Sequence, residues 1–154
     1  MAPNLGRLQE ILGYQFADSS LLQAALQAAG ANVQVTGIRR PSLEGNRGLA
    51  LVGDTVLRTI HVEECIRKGL TREKTTNLIS KADSNANLND VGRGLDLHRF
   101  VITHPTPGSS VAPKTMADTM EALIGAAFLD GDIGAARIVI EHLSLSPVVK
   151  EEKT

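Results

Sequence analysis

The chain has 154 residues, with 16 basic and 17 acidic side chains giving a net charge of −1 at pH 7 and a pI near 6.4. No lysine- or arginine-rich run occurs, which excludes the overall electrostatic footprint of a strongly basic nucleic-acid binder; any such surface must come from charge segregated to one face. One domain is expected at this length, and with 3% aromatic residues its core must be filled by Leu, Ile, Val and Ala, as suits packed helices.

Taken in order, the pattern predicts an all-helical chain. Leu5–Leu12 reads as a short first helix ending at Gly13, and Asp18 or Ser19 caps a second, Ser20–Ala29, that stops at Gly30. Residues 30–45 mix glycine, proline and polar residues and read as a loop. A third helix is expected from Pro41–Ser42 to Lys68, with Leu49, Val52, Val56 and Ile60 on one side and Gly69 ending it. Cys65 lies in it beside Val62 and Ile66 and reads as a small buried hydrophobe; a lone cysteine forms no internal disulfide and suits a reducing compartment. Thr71 opens the next helix, Arg72–Asn85, with Glu73 serving its positive end. A short helix at Asn87–Gly94 and a helical turn at His98–Ile102 follow, and then a loop, His104–Pro113.

Lys114–Asp132 reads as the central helix. Met116, Met120, Leu123, Ile124, Ala127 and Phe128 recur at three- and four-residue spacing, and Asp130-Gly131-Asp132 stops it. Gly125 in its middle marks a place where another backbone packs closely. Asp118 and Glu121 stand three apart, on one edge. A last helix, Ile133–Leu143, precedes a tail expected to be frayed over 144–154. The whole, 1–154 with a core at 5–143, is expected to be a single all-α domain of about seven helices. The opening residues have neither a charged n-region nor a long apolar run, so the expectation is an intracellular, cytoplasmic protein with no membrane partner.

Two stretches carry chemistry. Asn46–Leu57, NRGLALVGDTVL, holds Gly53-Asp54 inside an apolar run, where an aspartate is a poor helix former and an unusual core residue without a partner. Lys114–Asp132 holds Asp118 and Glu121. Two amphipathic helices, each with an inward-leaning carboxylate near a glycine, are suited to hold Mg²⁺, a hard cation that takes carboxylate oxygens and waters.

These stretches resemble the ribonuclease III domain family. NRGLALVGDTVL is similar to its first signature, usually N-E-R-L-E-F-L-G-D-A-V-L. ADTMEALIGAAFLDGD at 117–132 is similar to its second, A-D-x-F-E-A-L-I-G-A-x-Y-L-D-x-G. ILGYQFADSSLLQAAL at 11–26 is similar to its opening, L-G-Y-x-F-x-x-x-x-L-L-x-x-A-L. The resemblance implies a ribonuclease III-like helical bundle and Mg²⁺-dependent (or Mn²⁺-dependent) endonucleolytic hydrolysis of double-stranded or structured RNA. It implies catalytic, metal-holding roles for Asp54, Asp118 and Glu121.

The fourth family carboxylate falls four residues before Asp54, where this chain has Ala50; the other first-signature glutamate is Arg47 here. Glu44 lies six residues upstream of Ala50. Lys114, four residues before Asp118, is a candidate RNA-phosphate contact, and Asn77, Lys81, Asn85 and Asn87 form a polar face. The resemblance also implies a homodimer, with Arg47, Leu49, Leu51 and Val52 as interface residues, and the chain is expected to lack an appended double-stranded-RNA-binding domain. The competing reading is a catalytically lapsed ribonuclease III fold used as an RNA-binding or structural module, favoured by Ala50 and the neutral charge balance.

Overall fold

The computed structural model describes residues 4–30, 44–103 and 110–147. Over these it is all-helical: α1 (Leu5–Leu12), α2 (Ser19–Leu26), α3 (Arg47–Arg67), α4 (Arg72–Ala82), α5 (Asn85–Gly94), a 3₁₀ turn (Leu97–Phe100) and α6 (Pro113–His142). The helices begin where side chains can satisfy the first free N–H groups. Asn4, Asp18, Thr71 and Ser84 each accept a backbone N–H at an N-terminus, and Pro113 opens α6 where its missing N–H costs nothing.

The first half of α6 is the axis of the molecule. Every residue from Thr119 to Ala127 is buried, so this helix is enclosed on all sides rather than along one apolar stripe. α2, α3 and α5 pack around it. The small residues Ala122, Gly125, Ala126 and Ala127 let the neighbours approach, and Gly92 of α5 sits against Met116 and Met120, where a Cβ would meet the Met116 side chain at 3.0 Å. α6 breaks where Asp130-Gly131-Asp132 was expected to stop it: Gly131 (φ −144°) and Asp132 (φ 61°) leave the helical region before the chain resumes.

A carboxylate fixes that break. Asp130 accepts the Tyr14 hydroxyl at 2.5 Å and the backbone N–H groups of Ala17 and Asp18 at 2.9 and 2.8 Å, tying the segment between α1 and α2 to α6. Burial of itself would raise the Asp130 pKa, but these three donors outweigh it and hold the carboxyl below its usual range. Burial, with the hydrogen bond to Asp130 and its charge, pushes the Tyr14 pKa to about 12. Asn46, wholly enclosed before α3, donates to the Ala25 carbonyl (2.8 Å) and to Thr119 Oγ1 (3.0 Å), joining α2, α3 and α6.

Several boundaries differ from the pattern-based expectation. α3 begins at Arg47, after a turn over residues 44–46, instead of at residues 41–42; the latter, with most of the 30–45 loop, 104–109 and 148–154, lie outside the described residues. α4 ends at Ala82, because Ser84 caps a new helix that starts at Asn85. α2 ends at Leu26: Gln27 leaves the helix to make an isolated parallel bridge with Ile102. No described helix is long and apolar enough to cross a membrane.

Candidate active site

The site is made by two glycines. α3 crosses α6 so closely that a Cβ on Gly53 would lie 1.7 Å from the Glu121 carbonyl oxygen, and one on Gly125 2.2 Å from the Leu49 carbonyl oxygen. Only backbone without a side chain fits at either point. Gly125 therefore has the close approach expected of it, and the Gly-Asp order of α3 becomes intelligible: Gly53 admits α6, and the next residue, Asp54, meets Glu121.

Glu121 is 8% exposed and shares a hydrogen bond with Asp54. Burial, that hydrogen bond, and the negative charges of Asp54, Asp118 and Asp83, in that order, push its pKa to about 8, so it keeps its proton at neutral pH. Asp118 lies one turn earlier, its side chain 14% exposed, and Lys114 Nζ sits 3.1 and 3.2 Å from its two oxygens. Lys114 itself is largely exposed. Asp54, Asp118 and Glu121 are thus brought into one electrostatic neighbourhood, with Lys114 at its edge.

Among the described residues no three His, Cys, Asp or Glu side chains converge as ready metal ligands. The geometry gives the reason: Asp118 is turned to Lys114, and Glu121 is hydrogen-bonded to Asp54. The donor set nonetheless fits a hard, oxygen-ligated cation, which would take the place of the Glu121 proton and relieve the repulsion that keeps it there. Ala50, one turn before Asp54, is buried and offers no donor.

The other sequence-based candidates stand elsewhere. Arg47 and Leu51 are exposed on α3, Leu51 by 69%, while Leu49 and Val52 are half-buried. Asn77, Lys81 and Asn85 are exposed on α4 and α5, and Asn87 donates to the Ala82 carbonyl. Glu44 is exposed in the turn before α3, and Glu73 in the first turn of α4. Cys65 is buried, and burial pushes its thiol pKa up, as an inert core cysteine requires.

A pair beside the site has no counterpart in the sequence reading. His61 of α3 is fully buried, and its Nδ1–H donates to Asp83 Oδ1 at 2.6 Å. His61 follows Asp54 by two helical turns, the one signal that placed it on the site's side of α3; nothing in the sequence singled out Asp83.

The sequence profile of the ribonuclease III domain matches residues 47–132, the stretch that carries all three carboxylates. The chain belongs to the ribonuclease III domain family. It is 32% identical to the Ribonuclease 3 of Oleidesulfovibrio alaskensis over 143 residues, covering 89% of this chain and 60% of that protein. The corresponding figures for the Ribonuclease 3 of Francisella tularensis subsp. tularensis are 29%, 91% and 58%. The chain therefore spans about three fifths of the length of these relatives. Its fold is that of ribonuclease III nuclease domains. The crystal structure of the Campylobacter jejuni domain superposes with a TM-score of 0.77 at 22% identity, covering 96% of this chain and 99% of that one. A second structure, describing flexibility in the region of that domain involved in dimer formation, gives 0.75, 92% and 96%.

Proposed function

We propose that this chain is a metal-dependent nuclease domain that hydrolyses phosphodiester bonds of double-stranded or structured RNA, with Mg²⁺ or Mn²⁺ held by Asp54, Asp118 and Glu121. The observation that carries this reading is Glu121. A carboxyl kept protonated at neutral pH by burial and neighbouring aspartates, in a helix crossing that only glycines permit, is costly to maintain unless a cation repays it. A bound divalent ion supplies a nucleophilic water near neutral pH and stabilises charge on the leaving oxygen.

The chain's own residues do the rest. With its proton removed, Glu121 would hold the ion together with Asp54, which would then be free of its hydrogen bond to Glu121. Asp118 would be a ligand in place of its ion pair with Lys114, leaving the exposed ammonium able to meet an RNA phosphate. Duplex RNA read by shape and backbone needs no base-specific groups. The exposed Leu51, with Arg47 and the half-buried Leu49 and Val52, offers an α3 face for a second copy of the chain, which would align two such sites.

The Lys114–Asp118 ion pair and Ala50 favour a second reading, in which the lysine permanently replaces the ion and the fold serves as a binding module. Purified protein with a plain RNA duplex and titrated Mg²⁺ or Mn²⁺ separates the two. Metal-dependent cutting that is lost in Asp118→Asn supports the nuclease; a folded protein silent across the titration supports the module.

A further inference from the structure

α6 starts without the side-chain cap that starts α1, α2, α4 and α5: Ala112, at its N-cap position, offers no acceptor. A first turn of that kind frays unless a neighbour holds it. Two consecutive residues of α5 do so here. Gly92 leaves room for Met116, whose Cε and Cγ would lie 3.0 and 3.1 Å from a Cβ at that position. Arg93, half-buried, donates through Nη2 to the carbonyl of Val111, one residue before the N-cap, while its Nε donates to Asn89 Oδ1 at 2.7 Å. The guanidinium is thus braced on its own helix and ties down the start of the next.

What this turn carries is Lys114. Its ammonium lies 3.1 and 3.2 Å from the two oxygens of Asp118, yet the lysine side chain is 66% exposed. An exposed pair at i, i+4 is weak, and it persists only as far as the backbone beneath it is held. Asp118 is held without the first turn, between the wholly buried Ala117 and Thr119. Lys114 is not, since Ala112 and Pro113 before it are exposed. We propose that Arg93 is a positioning residue of the cation site. By clamping Val111 it keeps the first turn of α6 wound, holds the Lys114 ammonium on Asp118, and so sets how much divalent cation is needed to displace it. Arg93 acts through Lys114 alone. This inference rests on the cation-site reading above.

The clamp supports the fold and opposes the ion, so its loss should move stability and metal affinity in opposite directions, which a plain structural defect would not do. In the full chain, Arg93→Met should lower the urea midpoint yet strengthen Mn²⁺ binding about threefold, read as free Mn²⁺ by electron paramagnetic resonance. Lys114→Gln should strengthen binding about fivefold, and adding Arg93→Met to it should change affinity no further. Unchanged or weaker Mn²⁺ binding by Arg93→Met overturns the proposal. So does an equal gain in both backgrounds, which would make Arg93 a remote charge and not a clamp. If wild type and Glu121→Gln are equally indifferent to Mn²⁺, the cation site itself falls, and the inference with it. Should Arg93→Met fail to fold, Arg93→Lys, which keeps the charge but not the fork, decides in the same two backgrounds. A gain confined to the chain that has Lys114 supports the clamp; no gain, or an equal one, overturns it.

Discussion

Replacing Glu121 by glutamine should make the metal-free protein more stable, and increasingly so as pH rises. The folded carboxyl has a pKa of about 8 against an ordinary value of 4.5. Because the folded value lies above the unfolded one, the stability associated with this group is fully present below about pH 4.5. It is lost progressively as pH rises through about 8, where the buried carboxyl is forced to ionise beside Asp54 and Asp118. At about 1.4 kcal/mol for each tenfold in proton affinity, the loss is on the order of 3–5 kcal/mol by pH 9. Glutamine keeps the volume and the hydrogen bond to Asp54 and never ionises. Urea unfolding with chelator present, at pH 5, 7 and 9, is the assay. The variant and wild type should have nearly equal midpoints at pH 5, with glutamine ahead by a few kcal/mol at pH 9. An advantage that does not grow with pH would refute the claim that Glu121 is held protonated by its surroundings.

Other substitutions probe the parts that position the site. Gly53→Ala puts a methyl group into the Glu121 carbonyl and should cost at least about 3 kcal/mol, whereas Gly48→Ala, with nothing within 4 Å in the same helix, should gain about 0.5–1 kcal/mol; chemical denaturation of the two variants reads the contrast. Asp130→Ala removes the acceptor of three hydrogen bonds and should lower stability by about 2 kcal/mol. Since the Asp130 carboxyl is held below its ordinary 3.8, that difference should persist down to mildly acid pH and vanish only as pH falls through the lowered value, which thermal melts at pH 7 and pH 3 would register.

Much of this molecule is written locally. Caps such as Thr71, the apolar spacing of α6, the break at Gly131 and the need for a close neighbour at Gly125 all follow from short-range rules. Asp54, Asp118 and Glu121 drew notice as carboxylates beside apolar runs, but their expected roles came from the resemblance to the ribonuclease III signatures. What the sequence hid is long-range. His61 looked like an unassigned histidine, and only the packing of α3 on α4 pairs it with Asp83. Tyr14 and Asp130 lie 116 residues apart, and no periodicity joins them. The full enclosure of α6 was also missed, because a run of Ala, Gly and Thr reads as one face when its small size in fact admits neighbours on every side. Lys114 was visible as a residue near Asp118, but its grip on both carboxylate oxygens is a matter of three-dimensional geometry.

Entry of a divalent cation should displace the Glu121 proton and the Lys114–Asp118 ion pair together. Anomalous diffraction from crystals grown with Mn²⁺ tests it most directly. A peak bounded by Asp54, Asp118 and Glu121 is expected, with Lys114 Nζ drawn away from Asp118. Crystals that leave Lys114 on Asp118, with no peak at the crossing of α3 and α6, would contradict it.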